Sequence, residues 1–195
     1  GVTCLGHAHP VITKALATQA GRIIQSPNAG FTYSPERANA LRALHAVLPK
    51  NLVSTWFCNS GAEANDAALK LARKITGRTK VVSTTASFHG RTFNTLSVSR
   101  GTDNTTRYLP ALTDITFIRH GDSLALGHAV DADTAAVIVE PIQGEGGVRI
   151  PDKAWLANVQ EACREHGALL IIDEIQTGFC RTGKFFALEH SSHSI

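Results

Sequence analysis

The stretch LLIIDEIQTGFCRTG, residues 169–183, places four aliphatic residues directly before two carboxylates, Asp173 and Glu174, and then becomes polar and rich in glycine. An apolar run of this kind is typical of a strand that is covered on both faces in a parallel sheet. A carboxylate at the end of a buried strand is costly unless it meets a cation or several hydrogen-bond donors. The stretch therefore predicts a core strand ending on an acid, which is either a solvated turn residue or a group held for a positive partner.

Strand-like and helix-like segments alternate along most of the chain. This alternation predicts an α/β domain with a mainly parallel sheet flanked by helices. The predicted strands are residues 54–58, 80–84, 115–118, 135–140 and 168–173, and the predicted helices are about 10–24, 35–48, 61–75 and 152–166.

The composition indicates a soluble, globular protein. The chain has 195 residues, 43% of them hydrophobic, which is enough for one substantial core. Its net charge of +3 comes from scattered basic residues, so we expect neither nucleic acid nor a membrane as partner. The first ten residues lack the pattern of a secretory signal, and we expect a cytoplasmic protein, or one of the mitochondrial matrix in a eukaryote.

The cysteines show no metal-binding spacing, and among the histidines only His7 and His9 are spaced so that they could hold a metal ion. The four cysteines are far apart, and we expect reduced, mostly structural thiols. His7 and His9 have no evident third ligand, so a polar turn before a helix is the favoured interpretation. The chain contains no methionine, and nothing after residue 183 completes an open sheet, so we expect an internal fragment of a larger domain.

The stretch CNSGAEANDAALKLARK, residues 58–74, predicts a helix that begins after Ser60. Backbone N–H groups of Gly61 and Ala62, with the Ser60 hydroxyl, would form a positive helix end that binds a phosphate. Ser60 followed by Glu63 is also a capping box, which needs no ligand. The expected apolar stripe of this helix consists of Ala64, Ala67, Ala68, Leu71, Ala72 and Ile75.

The stretch SFHGRTFNTLSVS, residues 87–99, brings an aromatic ring, an imidazole and a guanidinium together after a predicted strand. Phe88 or His89 is able to stack on a planar ring, and Arg91 is able to bind a carboxylate with two parallel hydrogen bonds. A core phenylalanine and a surface arginine are the plainer alternative.

A second strand ends on an acid in AAVIVEPIQGEGGV, residues 135–148. Glu140 ends the apolar run, and glycines surround Glu145 in the following loop. Ligands of open α/β sheets gather outside the carboxyl ends of the strands, so Glu140 and Asp173 are expected at the same edge. Gln176 is close enough in sequence to Asp173 to reach another polar group of the same ligand. Solvated turn residues remain the alternative.

Four motifs together resemble, in order and spacing, the class III aminotransferases, which use pyridoxal 5′-phosphate (PLP). They are NSGAEANDAALKLAR, SFHGRT, VEPIQGEGGV and IIDEIQTGFCRTGK, and LGHAHP at residues 5–10 resembles the segment leading into the cofactor domain. The resemblance is strongest to the acetylornithine and ornithine aminotransferase branch. It implies the type I PLP-dependent transferase fold and a homodimer. Residues 1–34 would lead into the cofactor domain, and residues 35–195 would form part of the PLP-binding large domain.

The resemblance implies a role for each candidate residue. Ser60, Gly61 and Ala62 match the loop that holds the PLP phosphate. Asp173 matches the catalytic partner of the ring nitrogen. The other matches are Phe88 stacked on the ring with His89 beside it, Glu140 near the cofactor, Gln176 near the ring hydroxyl, and Arg91 and Glu145 as substrate-binding residues.

The implied activity is transfer of an ω-amino group from N-acetylornithine, or a similar acylated diamino acid, to 2-oxoglutarate. Ornithine, 4-aminobutyrate or a lysine-pathway amine are alternative donors. The lysine that binds PLP covalently in this family is expected beyond Ile195, since Lys184 is too close to Asp173, so the chain alone is expected to be inactive. Two other classes stay open: a non-catalytic remnant that binds PLP or a partner, and a generic phosphate-binding module, for which no GxGxxG motif is present.

Overall fold

The computed structural model describes residues 3–22, 34–100 and 114–191. The chain forms two compact units, residues 1–56 and 57–195. Helices α1, Pro10–Ala20, and α2, Pro35–His45, belong to the first unit. Both begin with proline, whose fixed φ suits the first helical position. The last residues of the helix predicted at 10–24 lie outside the described residues. So do residues 101–110 of the stretch RGTDNTTRYLP, whose sequence is typical of a linker but is too short to separate domains.

The second unit contains a four-stranded, fully parallel sheet in the order β2-β1-β3-β4. Its elements in chain order are α3 (Gly61–Thr76), β1 (Lys80–Thr84), α4 (Phe93–Val98), β2 (Ile115–Ile118), α5 (Ser123–Ala129), β3 (Thr134–Val139), α6 (Trp155–His166), β4 (Leu169–Ile172) and a 3₁₀ helix (Ala187–His190).

Helices cover both faces of this sheet. On one face Leu69 of α3 and Val98 of α4 pack with Val81 and Ile138. On the other face α5 and α6 pack against the neighbouring strand residues, among them Val82, Val137 and Val139. Successive strand residues point to opposite faces, so the uniformly apolar strands supply both cores. This confirms the α/β fold with a parallel sheet flanked by helices.

The strand order places a crevice between the carboxyl ends of β1 and β3. From β1 the chain runs to the edge strand β2 and then returns past β1 to β3, so the direction of sheet growth reverses between these two neighbours. In open α/β sheets this reversal opens a gap outside the strand ends where ligands bind. The loops that follow β1 and β3 contain Phe88, His89 and Glu140.

One prediction from the sequence is wrong, and a second is right only in part. Residues 54–58 form no strand, and Trp56 is 82% exposed. A high strand propensity does not produce a strand unless a neighbouring strand pairs with the segment, and no described strand pairs with residues 54–58. In α3, Ala72 of the predicted stripe is buried, but Leu71 and Ile75 are exposed, and the other buried residues are Asn65 and Leu69. The helix is therefore rotated so that a face containing a polar residue meets the sheet.

The other predicted elements agree within a few residues. Helices α4 and α5 were not expected, because six and seven residues are too few to show helical periodicity. No helix among the described residues has the length and apolar character needed to cross a membrane.

Candidate active site

Helix α3 begins next to the carboxyl edge of the sheet. The Ser60 Oγ accepts a hydrogen bond from the backbone N–H of Glu63 at 3.2 Å. The Glu63 carboxylate accepts from the N–H of Asn59 at 2.7 Å, one residue earlier than a standard capping box would place it. Gly61 and Ala62 are the first two residues of the helix, so their N–H groups have no helical carbonyl one turn back. This end of the helix favours an anion.

Two loops pack tightly on the start of α3. Gly90 has φ of +130°, and a Cβ at this position would lie 2.6 Å from the Cβ of Ala62. A Cβ at Gly61 would lie 2.8 Å from the side chain of Ile175. The loop after β1 and the loop after β4 therefore reach the anion-favouring end of α3 only because these positions are glycine.

Asp173 lies at the centre of a buried hydrogen-bond network. Its Oδ2 accepts from the His89 Nδ1 at 2.8 Å and from the Asn65 Nδ2 at 2.8 Å, and its Oδ1 accepts from the Ile175 N–H at 3.0 Å. Asp173 is 6% exposed and His89 2%. Because an ionised carboxylate only accepts, the proton between Asp173 and His89 is placed on Nδ1.

This network explains how a core strand is able to end on an acid. Three donors compensate the buried charge of Asp173, and they come from α3, from the loop after β1 and from the residues after β4. Oδ2 has two of these donors and Oδ1 has one. A carboxylate oxygen accepts two hydrogen bonds, so Oδ1 retains the capacity to accept from a ligand.

Glu140 joins the loops that follow β1 and β3. Its Oε2 accepts from the Phe88 N–H at 3.2 Å and its Oε1 from the Gly144 N–H at 3.3 Å. Burial is the main cause that raises the pKa of Glu140, the charge of Asp173 adds to it, and His89 with the two N–H donors opposes it. The pairing of β3 with β4 puts Val139 opposite Ile172, so Glu140 and Asp173 follow paired residues at one edge. The structure thus brings together the two acids that the sequence placed there.

The rim of the site contains the remaining candidates. Phe88 is half-buried, and the exposed Arg91 guanidinium lies 5.6 Å from the centre of its ring. Gln176 is half-buried and donates from Nε2 to the Oε1 of the exposed Glu145 at 3.2 Å. Glu174 has a separate, structural role, because its carboxylate accepts from the backbone N–H groups of residues 187 and 188 at the start of the 3₁₀ helix.

Sequence reasoning missed two buried amides. Asn65 connects Asp173 to the backbone carbonyl of His89, which accepts from the same Nδ2 at 2.9 Å. Gln143 is fully buried and donates to the Thr84 Oγ1 and the Thr85 carbonyl, which anchors the loop after β3. The sequence did contain a signal for Asn65. It lies four residues before Leu69 and seven before Ala72, a spacing that puts it on the same helix face as these two apolar residues.

The assembled site suits a small anionic ligand with a planar ring. Asn65 lies four residues from Gly61, about 6 Å along the helix axis, so the anion-favouring end and the Asp173 carboxylate are close enough to hold two ends of one molecule. The aromatic residue Phe88 directly precedes His89, which binds Asp173. Among the described residues no cluster of three or more histidine, cysteine or acidic side chains is arranged to hold a metal ion.

Comparison with known proteins identifies related chains. The class-III aminotransferase family model matches residues 1–194. The acetylornithine aminotransferase of Methanopyrus kandleri is 46% identical over 97% of this chain and 48% of its own length. A [LysW]-aminoadipate semialdehyde transaminase of Deinococcus radiodurans is 44% identical over 97% of this chain and 44% of its own length.

Solved structures agree with this relationship. An ornithine aminotransferase from Toxoplasma gondii, crystallised with partial occupancy of PLP at its active site, has a TM-score of 0.86 and 34% identity, over 97% of this chain and 46% of its own. A transaminase from a marine Virgibacillus has a TM-score of 0.87 and 28% identity, over 96% and 46% of the two chains. This chain spans about half the length of the relatives that it matches.

Proposed function

Since the chain belongs to the class III aminotransferase family, we propose that it forms the cofactor-binding part of a PLP-dependent enzyme that transfers an ω-amino group from N-acetylornithine, or a similar acylated diamino acid, to 2-oxoglutarate. The observation that carries this proposal is the buried Asp173 network, one helical turn from the anion-favouring end of α3. Acetylornithine aminotransferases at 44–46% identity support the choice of amino donor.

The residues present fit PLP. Ser60, Gly61 and Ala62 would hold the phosphate through the hydroxyl and the N–H groups at the start of α3. Asp173, with its remaining acceptor capacity on Oδ1, would pair with the protonated ring nitrogen. The other contacts that we propose are Phe88 on the ring face with His89 beside it, Glu140 near the ring, and Gln176 near the ring hydroxyl.

The cofactor, when bound, supplies an electron sink for the pair of electrons left when the substrate loses a proton. Asp173 keeps a proton on the ring nitrogen, because an adjacent negative charge favours the cationic form. His89 and Asn65 hold the carboxylate in place and compensate its charge while it is buried. The lysine that would bind the cofactor covalently is proposed to lie beyond Ile195.

Arg91 and Glu145 are the proposed substrate-binding residues. Arg91 is exposed at the rim and lies over Phe88, where its guanidinium is able to bind a substrate carboxylate in two parallel bonds. Fixing the substrate in this way supplies much of the rate advantage of an enzyme. Glu145, held by Gln176, would pair with a second arginine of the complete protein.

A lysine-pathway amine is the second candidate donor, and the Deinococcus radiodurans relative favours it. Ornithine and 4-aminobutyrate are further alternatives, and a non-catalytic PLP-binding or partner-binding remnant is the alternative of another class. We also expect a homodimer, and a location in the cytoplasm or the mitochondrial matrix. These features stay predictions.

A donor panel tests the proposed function. The complete protein would be loaded with PLP and assayed with 2-oxoglutarate as acceptor. The donors, tested in turn, would be N-acetylornithine, ornithine, 4-aminobutyrate and the amine that corresponds to LysW-linked aminoadipate semialdehyde. We expect the highest kcat/KM with N-acetylornithine. A preference for the LysW-linked donor would replace the first candidate by the second, and PLP binding without turnover of any donor would support the remnant. No PLP binding would refute the proposal.

A further inference from the structure

The buried face of α3 contains one polar side chain among apolar ones. Asn65 is 6% exposed, one turn before Leu69 at 1% exposure. Asparagine is a poor residue for a helix interior, and burying its amide is costly unless its hydrogen bonds are made. Nothing in the formation of α3 calls for an amide at this position, since Ser60 already caps the helix. The reason for Asn65 must therefore come from what it contacts.

A single nitrogen of Asn65 makes both contacts. Its Nδ2 donates to the Asp173 Oδ2 at 2.8 Å and to the His89 carbonyl at 2.9 Å, and an amide nitrogen has two hydrogens. The His89 side chain also donates to Oδ2 at 2.8 Å. The three residues thus form a closed arrangement. The His89 side chain binds Oδ2 of Asp173 directly, and the His89 backbone carbonyl is linked to the same oxygen through the Asn65 amide.

This arrangement determines the orientation of the carboxylate. Without Asn65, the Asp173 carboxylate keeps one donor on each oxygen, the His89 Nδ1 and the Ile175 N–H, and both come from loop residues. Rotation about the terminal bond of the side chain is a torsion with broad minima, so these two donors restrain it only weakly. Asn65 adds a second donor to Oδ2 from the rigid backbone of α3, and the Ile175 N–H holds the other oxygen at 3.0 Å. Three donors from three separate segments leave the carboxylate one orientation, which keeps the remaining acceptor capacity on Oδ1.

We propose that Asn65 is a positioning residue that holds the Asp173 carboxylate, together with His89, in the single orientation that receives the cofactor ring nitrogen. This inference rests on the proposed function in taking Asp173 as the partner of that nitrogen. Asn65 would act through its hydrogen bond to Asp173.

The test compares two variants of the complete protein that change the same buried helix face. Asn65→Leu removes both hydrogen bonds and keeps a side chain that branches at the same carbon. Leu69→Ala is the matched control, because it loosens the packing one turn further along and removes no hydrogen bond to Asp173. Asn65→Ser removes the same contacts with a smaller side chain and replaces Asn65→Leu if that variant does not fold.

The first measurement needs no cofactor. Crystal structures of the cofactor-free variants should show the Asp173 carboxylate rotated or in several conformers in Asn65→Leu, and unchanged in Leu69→Ala. An Asp173 and His89 pair that keeps its position in Asn65→Leu overturns the inference. This readout is independent of the proposed function, which fails on its own if the unmodified protein does not bind PLP.

The second measurement is PLP binding, followed by absorbance across pH. We expect Asn65→Leu to weaken PLP binding about 10- to 100-fold, the range that corresponds to one hydrogen bond to a charged group, and to shift the pH dependence of the absorption of bound PLP. Leu69→Ala should lower the melting temperature and leave both properties within about twofold of the unmodified protein. Equal PLP affinity and an equal pH profile in Asn65→Leu would overturn the inference.

Discussion

We expect the replacement of Asp173 by asparagine to lower both the stability and the activity of the complete protein. If the side-chain oxygen keeps the Ile175 N–H, the new amide nitrogen faces two donors, the His89 Nδ1 and the Asn65 Nδ2. Two hydrogen bonds to a charged group are lost, each worth about 1.5–3 kcal/mol. A move of the His89 proton to Nε2 would let Nδ1 accept a hydrogen bond, but Nε2 is buried and has no hydrogen-bond partner among the described residues, so this change recovers little.

The variant should therefore be destabilised by about 3–6 kcal/mol, and the lower end is expected because asparagine also avoids the cost of burying a charge. The loss of activity should be larger than the loss of stability suggests. Removing a preorganised group that stabilises developing charge typically costs a factor of about 100–1,000 in kcat. We expect a fall of this size in the complete enzyme at saturating PLP.

Steady-state rates with the best amino donor, and urea denaturation monitored by circular dichroism, measure the two effects. Glu174→Gln is the matched control, since it neutralises the adjacent carboxylate, whose hydrogen bonds serve the 3₁₀ helix. It should lower stability and keep kcat within a few-fold. An Asp173→Asn enzyme with unchanged kcat and unchanged PLP affinity would refute the assigned role of Asp173.

Three further predictions concern other parts of the fold. Gly90→Ala should lower the free energy of unfolding by at least about 1–3 kcal/mol in thermal or urea denaturation, because a side chain is strained at its φ and meets the start of α3; a variant as stable as the parent would contradict the close contact. Burial raises the pKa of Glu140, so the folded state binds its proton more tightly, and the stability that this proton contributes is lost as pH rises from about 4.5 through the raised value. Urea denaturation at several pH values should show that the free energy of unfolding of Glu140→Gln, minus that of the parent, rises over that pH range. A difference that does not change with pH would argue against a raised pKa of Glu140. Burial raises the pKa of the Cys163 thiol to about 12, so at pH 8 only about one molecule in ten thousand has the thiolate. Iodoacetamide should label the exposed Cys4 and Cys180 rapidly and Cys163 only on unfolding, and rapid native labelling of Cys163 would show that it is accessible.

Local sequence patterns predicted most of the second unit. Strands β1 and β2 were predicted to the residue, and β3 and β4 within one residue at each end, because an apolar run bounded by turn residues is a local signal. The start of α3 was predicted because Ser60 provides a local cap. The segment at 54–58 has the composition of a strand, but its state depends on a neighbour that the segment itself does not specify.

The sequence by itself determined which groups lie at the carboxyl edge of the sheet. The four motifs follow strands or begin a helix, and in a parallel sheet all strand ends of one kind meet at one edge. The roles assigned to Phe88, Arg91, Gln176 and Glu145 come from the family resemblance and stay predictions.

Only the tertiary structure decided what Asp173 meets. Its two side-chain donors lie 84 and 108 residues away in the chain, and no periodicity or local spacing connects positions so far apart. The rotation of α3 about its axis, which turned Asn65 inward and left Leu71 and Ile75 exposed, follows from packing against the sheet and not from the apolar pattern of the helix alone. The sequence thus determined that a core strand ends on an acid, and the packing of α3 and the loop after β1 around β4 decided how that acid is held.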